Sequence, residues 1–377
     1  MRDEIYMLWL STHLPQLGSR KLNSLLSIFG TAKSIFSAHP DQLKSQGSLT
    51  DLALTTLTKN RNFDYIERTL RDLESKQMIY LSRDHERFPT LLASIPDPPV
   101  GIFCVGELPA DAIHKIAIVG SRKCSEYGLL AARLLAKPLA EYGIVIVSGM
   151  ARGIDSMAHR GAIEGAGKTI AVLGCGADIC YPSENVHLRA SIIENGCVIS
   201  EYPPGQRPIA AFFPARNRII SGLCRVIIVA EASKKSGTLI TVDQATEQGR
   251  DVLAVPGNIN SPLSAGTNSL IREGAIPVTD YTDVLFALGL SDIKDTSDPL
   301  NQYAHGGQVP SKAQENAIKS LAPEEKLVYD NLTFDAVSFD SLVLVTKLPS
   351  SNMHYLCTTL ELKGLIKKLP GARYIRN

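Results

Sequence analysis

The chain is organised around one stretch, Phe212-Phe213-Pro214-Ala215-Arg216-Asn217-Arg218-Ile219-Ile220-Ser221-Gly222-Leu223, which precedes an apolar segment. Pro214 suits the first turn of a helix, where its missing N–H would have no partner anyway. The stretch therefore predicts a short helix followed by a buried strand. Arg216 and Arg218 flank Asn217 at the opening of this helix. Free N–H groups at a helix start attract anions, and two guanidinium groups favour a phosphate over a neutral ligand.

Positive charge is concentrated around this stretch. From Arg207 to Lys235 there are six cationic residues and one anionic residue, a balance of +5, whereas the whole chain carries +1. Phe212 and Phe213 lie beside these cations, and the combination of cations with a stacking surface is what single-stranded nucleic acid requires. The alternative is that both phenylalanines belong to the core and that the arginines form a solvated face.

Length and composition indicate a soluble protein of two or three domains, because 377 residues exceed one ordinary core. The chain contains no apolar run of 18 residues, so we expect a cytoplasmic protein without a membrane partner. Its seven cysteines lack CxxC spacing. This pattern favours reduced thiols over a disulfide framework or a zinc site.

Residues 1–90 show helical periodicity and are expected to form a helical N-terminal domain. Within it, Leu14 to Gly30 resembles a helix-hairpin-helix, with Arg20 and Lys21 near a glycine turn. A plain pair of packed helices needs the same kind of turn, so both interpretations stay open. Four prolines between Pro89 and Pro99 predict a stiff, extended connector to the next domain.

Residues 100–290 predict an α/β fold with a doubly wound, Rossmann-like parallel sheet. Short apolar segments alternate with helical ones, which is typical of parallel strands covered on both faces. The expected strands are 116–119, 144–147, 169–173, 198–200, 226–229 and 252–255, and the expected helices between them are 127–141, 154–164, 184–194, 239–248 and 269–273.

Ligands of such folds collect at the carboxyl ends of the strands. The turns expected there are rich in small residues, hydroxyls and cations, and they suit a phosphate: Gly120-Ser121-Arg122, Ser148-Gly149-Met150-Ala151-Arg152-Gly153, Gly174 to Asp178, Lys234-Lys235-Ser236-Gly237-Thr238 and Pro256-Gly257-Asn258. A tight turn explains any single glycine. The whole set, with Arg122, Arg152, Arg216 and Arg218 on one edge, points to an anion site.

Two motifs that would indicate a nucleotide cofactor are absent or misplaced. Ala162-Ile163-Glu164-Gly165-Ala166-Gly167-Lys168-Thr169 loosely resembles a P-loop, but it ends a predicted helix and opens a strand, the reverse of the required order. No GxGxxG follows the first strand, so no dinucleotide cofactor is expected.

Residues 291–321 are polar and predict a linker. Residues 322–377 predict three short helices and a β-hairpin with a Pro-Gly turn, a small winged-helix domain. Its third helix carries Glu361 and, at its end, Lys363. DNA binding, contact with a partner protein and a purely structural role therefore all remain open for this domain.

Taken together, the motifs resemble the DprA/Smf family. The segments that carry the resemblance are 120–122, 148–155, 213–222, 236–241 and 255–258, in that order. The resemblance implies a recombination mediator without catalysis. Such a protein binds and protects single-stranded DNA during natural transformation, forms a homodimer and helps to load the RecA recombinase.

The resemblance also implies roles for individual residues. Arg122, in the turn with Gly120 and Ser121, would bind phosphate, and Phe213 would stack on a base, although Phe212 is a rival for that role. Arg216 and Arg218, around Asn217, would clamp the DNA backbone. The remaining residues implied at the site are Gly149, Arg152 and Gly153 in the second turn, and Lys234 or Lys235 with Ser236, Gly237 and Thr238, which would complete a phosphate cradle.

Two other classes of protein remain as alternatives. Rossmann-like phosphoribohydrolases share a Pro-Gly turn and a Gly-Thr pair, here Pro256-Gly257 and Gly266-Thr267, but they need a catalytic glutamate beside an arginine. A nucleotide sensor with a winged-helix effector domain is the other alternative. Both predict binding of a nucleoside monophosphate.

Overall fold

The computed structural model describes residues 4–47, 49–290, 321–332, 337–369 and 373–376. The chain forms two compact units, Met1–Asp292 and Ile293–Asn377. The predicted subdivision of the first unit near residue 90 stays a prediction. The predicted linker, apart from Leu321, lies outside the described residues.

The first unit is built on a nine-stranded sheet with the order β1-β2-β6-β5-β4-β3-β7-β8-β9. Strands β3 to β9 run parallel to one another, whereas β2 pairs antiparallel with β6 and β1 pairs antiparallel with β2. The strands are β1 (Met78–Ser82), β2 (Gly101–Gly106), β3 (Lys115–Gly120), β4 (Val145–Ser148), β5 (Thr169–Val172), β6 (Gly196–Ser200), β7 (Val226–Glu231), β8 (Asp251–Ala254) and β9 (Ile276–Pro277). The predicted doubly wound α/β fold is confirmed.

Helices cover both faces of this sheet. Alternate residues of β3 enter two cores: Ala117 and Val119 pack beneath α8, α12 and α13, while Ile116 and Ile118 pack beneath α9, α10 and α15. The helices are α8 (Thr90–Ala93), α9 (Glu126–Glu141), α10 (Ile154–Glu164), α11 (Val186–Glu194), α12 (Phe212–Gly222), α13 (Thr238–Glu247), α14 (Ala265–Arg272) and α15 (Tyr281–Ala287). Because buried strands need apolar residues on both faces, the sequence shows continuous apolar runs there.

Seven helices precede the sheet: α1 (Glu4–Ser11), α2 (Leu14–Leu17), α3 (Ser19–Phe29), α4 (Ala32–Ser37), α5 (Pro40–Ser45), α6 (Asp51–Lys59) and α7 (Phe63–Ser75). They enclose a core around Trp9. Gly18 joins α2 to α3 with φ +77, and Arg20 is exposed beside it. The structure differs from the predicted all-helical segment at its end, because Met78–Ser82 pairs with β2 as a strand.

The proline-rich segment before β2 is packed into the protein and is not a free, extended connector. It contains the single-turn helix α8, and Leu92 and Ile95 are buried against α12. Asp97 accepts hydrogen bonds from Ser19 (2.6 Å) and Asn23 (2.8 Å) of α3. The segment therefore links the N-terminal helices to the sheet.

The second unit contains α16 (Pro323–Asp330), α17 (Phe339–Thr346), α18 (Ser350–Leu362) and a small sheet of β10 (Val337–Ser338), β11 (Ile366–Leu369) and β12 (Arg373–Arg376). The three predicted helices and the two hairpin strands are present. The Pro-Gly turn at 370–371 lies outside the described residues. In the parts of the chain that the structure describes, no helix is both long and apolar enough to span a bilayer.

Candidate nucleic-acid interface

A cleft of about 780 Å³ lies at the carboxyl edge of the sheet. It opens beside β3 and β7, where the strand order reverses direction: the chain proceeds from β3 to β6 on one side and from β7 to β9 on the other. Ligands of open α/β sheets bind at such a reversal point. Its walls come from the turns after β3, β4, β5 and β7 and from the first turns of α12.

The turn after β3 presents Arg122 to the cleft. Glu231, at the end of β7, holds this turn through its backbone and its side chain. The N–H of Ser121 donates to the carbonyl of Glu231 (2.8 Å), and the N–H and hydroxyl of Ser125 donate to its carboxylate (2.7 and 2.5 Å). Glu231 is 1% exposed, whereas Arg122 is exposed. A buried acid thus fixes the loop that carries an exposed cation.

Two further turns adjoin this one. Gly153 precedes α10 with φ +74, and a Cβ there would lie 2.5 Å from the carbonyl oxygen of Ser121, so both turns depend on a glycine at this position. Across the cleft, the Ser236 hydroxyl accepts from the N–H of Thr238 (3.2 Å) at the start of α13. Gly120, Ser121, Ser236, Gly237 and Thr238 all line the cleft. Lys234 and Lys235 are exposed next to this turn but do not line the cleft.

The structure separates the roles of the two adjacent phenylalanines. Phe212 stacks on Tyr202, with ring centroids 4.1 Å apart, and packs against the N-terminal core. Phe213 lines the cleft, where its ring centroid lies 5.4 Å from the Arg122 guanidinium carbon. Phe213 is therefore the phenylalanine of this pair that faces the cleft beside a cation.

Arg216 lies in the floor of the cleft and is 3% exposed. It donates to the carbonyl oxygens of Gly149 (3.0 Å) and Val172, at the ends of β4 and β5, and to the Asn217 side chain (3.2 Å). Burial lowers the pKa of Arg216 to about 10, while nearby Asp155 acts in the opposite direction. At neutral pH the buried guanidinium remains charged and makes the floor of the cleft electropositive.

Arg218 does not belong to the cleft, which corrects the prediction that it clamps the DNA backbone. Its guanidinium forms a two-pronged ion pair with Glu201 (2.9 and 2.6 Å) and a further contact with Asp97 (3.2 Å). Arg218 is 6% exposed. Two residues along a helix turn the side chain by about 200°, so Arg216 and Arg218 cannot share a face. Arg218 ties α12 to the end of β6 and to the proline-rich segment.

Arg152 is exposed at the rim, where its guanidinium is paired with Glu184. The predicted anion edge therefore contains Arg122, Arg152 and Arg216 in three different states: exposed, paired at the surface, and buried. Asn217 lines the cleft beside Arg216. Gly149 lies directly against the Arg216 guanidinium.

Asp155 is the one acidic residue that lines the cleft among the residues the structure describes. It lies in the first turn of α10 and is 7% exposed. Burial raises the pKa of Asp155, while Arg216 acts in the opposite direction. A single buried acid facing a buried arginine neutralises part of the charge in the floor and leaves Arg122 and Lys123 as exposed cations of the wall.

Sequence reasoning missed several residues of this region. Tyr181 lines the cleft from the loop after β5, and its ring centroid lies 5.2 Å from that of Phe213. The available signal was an aromatic residue in a loop that follows a predicted strand. Glu231, Glu201 and Asp97 were also missed, because a strand-end acid in the sequence does not reveal which loop or arginine it will meet.

Comparison with known proteins assigns the family. The family model for DNA recombination-mediator protein A matches residues 79–289, and the model for the DprA winged helix domain matches residues 312–372. Protein Smf from Escherichia coli is 43% identical over 314 residues, which cover 82% of this chain and 80% of that protein. This chain belongs to the DprA/Smf family. DNA processing protein DprA from Streptococcus pneumoniae is 47% identical over 216 residues, 55% of this chain and 76% of that one.

Solved structures of DprA proteins share the fold. The DprA of Streptococcus pneumoniae superposes with a TM-score of 0.66 and 36% identity over 75% of this chain and 97% of the other. The DprA of Helicobacter pylori, described for its single-stranded DNA binding mode, gives 0.50 and 32% over 56% and 95% of the two chains. The predicted family and the predicted α/β architecture with a winged-helix domain are both confirmed.

Proposed function

We propose that this protein is a recombination mediator that binds single-stranded DNA in the cleft between β3 and β7. One observation carries the proposal: Arg122 and Phe213 lie side by side, 5.4 Å apart, on the wall of a cleft at the reversal point of the sheet. The cation suits a phosphate and the ring suits an unpaired base. A duplex keeps its bases stacked inside, so this pair favours a single strand.

The contributions of the other residues follow from their burial. Ser236, Gly237 and Thr238 would accept a second phosphate at the start of α13, with Lys234 or Lys235 above it. Arg216, being buried, would act by its charge and by supporting the walls, without direct contact to the DNA. The DprA of Helicobacter pylori binds single-stranded DNA, which supports the same ligand here.

The wider role rests on family membership. We propose that the protein acts in the cytoplasm without catalysis, as a homodimer that protects incoming DNA during natural transformation and helps to load the RecA recombinase. The description of the matching family as a recombination mediator supports this role. RecA loading can be measured as DNA-dependent ATP hydrolysis by RecA on strands already coated with single-strand-binding protein. We expect the wild-type protein to shorten the lag before ATP hydrolysis by RecA begins. With the Arg122→Ala variant, the lag should stay as long as it is without either protein.

Fluorescence anisotropy with single- and double-stranded oligonucleotides at about 50 and 200 mM salt tests the binding proposal. We expect the wild type to prefer the single strand and to weaken with salt. Arg122→Ala should weaken binding and reduce the salt slope by about one unit. Arg133→Ala is the matched control. Arg133 of α9 is also an exposed arginine, but it forms an ion pair with Glu164 of α10 and does not line the cleft. Equal affinity for single- and double-stranded DNA, or no binding of either, would contradict the proposal. If nucleoside monophosphates then raised the melting temperature of the protein, a nucleotide enzyme or sensor would be favoured.

A further inference from the structure

Tyr181 lies beside Phe213 on the wall of the same cleft. The two ring centroids are 5.2 Å apart with an angle of 34° between the planes, and Tyr181 is 38% exposed. Both residues also line a smaller hollow next to the main cleft, with Arg122 and Arg152. The rings thus form one continuous aromatic surface bordered by guanidinium groups. Neither the motifs of the sequence nor the comparisons assign a role to Tyr181.

The loop that carries Tyr181 is held rigidly from beneath. Pro182 is buried, and the buried side-chain amide of Asn185 donates to the Met150 carbonyl (2.9 Å) and to the Ser156 hydroxyl (2.9 Å). Arg189, in helix α11 after the loop, donates to the carbonyl of Ala177, which lies nearer the start of the loop (2.6 Å). An exposed ring on an anchored loop loses little conformational freedom when a ligand stacks on it.

The charges around the ring suit nucleic acid. The exposed Arg122 guanidinium lies next to Phe213 on one border, and Arg152, paired with Glu184, lies on the other side of the hollow. An aromatic surface whose only purpose was to pack in the core would not be left open between two arginines. Successive bases of a single strand stack on aromatic rings while cations hold the phosphates.

We propose that Tyr181 is a second base-stacking residue, which binds the nucleobase adjacent to the one on Phe213. This inference rests on the proposed function and specifies it further: the ligand must present at least two neighbouring unpaired bases, and affinity depends on bases as well as on phosphates. Because every base has an aromatic face, the site accepts any sequence.

The test compares an oligonucleotide of about 20 nucleotides, longer than a typical site, with the same backbone carrying abasic positions. Tyr181→Ala should weaken binding of the complete strand about 30-fold, the middle of the range for the loss of one stacked base. On the abasic strand this variant should bind like the wild type. Tyr181→Phe should retain full affinity, because it keeps the ring.

Two further variants test whether a loss of affinity comes from the aromatic ring of Tyr181. Tyr142→Ala removes a comparably exposed tyrosine at the far end of α9, away from the cleft, and should change nothing. Tyr181→Leu keeps apolar volume at the loop, so it replaces Tyr181→Ala if that variant does not fold. Its affinity for the complete strand should fall in the same way.

The outcomes separate the two claims. If the wild type binds single-stranded DNA and Phe213→Ala weakens it but Tyr181→Ala and Tyr181→Leu do not, the role of Tyr181 is overturned and the proposed function stands. An equal loss on complete and abasic strands also overturns the stacking role. If the wild type binds no single-stranded DNA, the proposed function fails and the inference fails with it.

Discussion

The guanidinium of Arg216 occupies the space in which a side chain at Gly149 would begin. A Cβ at residue 149 would lie 2.5 Å from Nη2 and 2.6 Å from Nη1 of Arg216. The guanidinium cannot move aside freely, because it donates to the carbonyl oxygens of Gly149 and Val172. The glycine of the turn after β4 and the first arginine of α12 are therefore one structural unit beneath the cleft.

We expect Gly149→Ala to displace Arg216 and to lower the free energy of unfolding by about 1–3 kcal/mol, the usual cost of overpacking. Affinity for single-stranded DNA should fall as well, because α12 carries Phe213. Urea denaturation and anisotropy measure the two effects. Gly237→Ala is the comparison for stability alone, since a Cβ there meets nothing within 4 Å. Unchanged stability and binding in Gly149→Ala would show that the floor of the cleft adapts.

The ion pair of Arg218 with Glu201 predicts a stability effect. Arg218→Met leaves the buried carboxylate of Glu201 without its partner, so we expect a loss of about 3–5 kcal/mol. The double variant Arg218→Met with Glu201→Leu should recover most of it, because the fully buried charge is gone and the remaining acid, Asp97, is partly exposed and keeps its hydrogen bonds from Ser19 and Asn23. Chemical denaturation measures both. If Arg218→Met kept full stability but lost DNA binding, Arg218 would be a DNA contact after all.

Glu231 predicts a link between a buried acid and Arg122. Glu231→Ala removes the acceptors of both Ser125 hydrogen bonds, and bonds to a charged group contribute about 1.5–3 kcal/mol each. We expect a less stable protein with weaker DNA binding, because the turn with Arg122 then keeps only the backbone hydrogen bond from Ser121 to residue 231. Glu231→Gln can accept from the Ser125 N–H and donate to its hydroxyl, so it should retain most of the affinity. Equal losses in both variants would indicate that the negative charge itself is required.

His159 predicts acid sensitivity of the fold. Its Nδ1 lies 2.7 Å from the Thr169 hydroxyl, which donates to the Ile146 carbonyl, so Nδ1 carries the proton. Burial, with a smaller effect of Arg216, lowers the pKa of His159 to about 3 from 6.5. Below pH 6.5 His159 is protonated in the unfolded chain but stays neutral in the folded chain. The free energy of unfolding therefore falls as the pH decreases towards 3.

The contribution of His159 to this slope is on the order of 1 kcal/mol per pH unit. His159→Gln keeps a hydrogen-bond donor for Thr169 but does not titrate. We expect this variant to flatten the dependence of the unfolding free energy on pH between about 3 and 6.5. Denaturation curves at a series of pH values measure the slope. An unchanged slope would mean that other groups, such as the buried His13, cause the acid sensitivity.

The sequence predicted the sheet well because its central strands are buried on both faces, which produces apolar runs that are hard to mistake. It missed β1 and β2, which lie at one side of the sheet and pair antiparallel there, and the two-residue strand β9 at the opposite edge. In β1, Met78 and Leu81 are buried whereas Ile79 is exposed, so a short strand resembles the end of the preceding helix pattern. Whether such a segment forms a strand depends on its pairing with a distant strand, and the local periodicity of the sequence does not contain that information.

The site was predictable as a set of turns but not as a set of contacts. Arg122 lines the cleft in a turn that the strand-end rule places at this edge, and Phe213 lines it too, whereas the sequence left Phe212 and Phe213 as alternatives. Their contacts with DNA stay predictions. The two arginines of α12 could be placed on different faces of the helix from their spacing of two residues. Which of them forms an ion pair could not be predicted, because the acids Glu201 and Asp97 come from distant segments of the chain.

Photochemical cross-linking tests the central claim most directly. A single strand substituted with iododeoxyuridine is irradiated with the wild-type protein, and the cross-linked peptide is identified by mass spectrometry. Bases that stack on the cleft wall should cross-link to the peptide containing Phe213, and Phe213→Ala should lose that product. A cross-link found only in other segments, with Phe213→Ala unaffected, would contradict the assignment of the cleft as the DNA site.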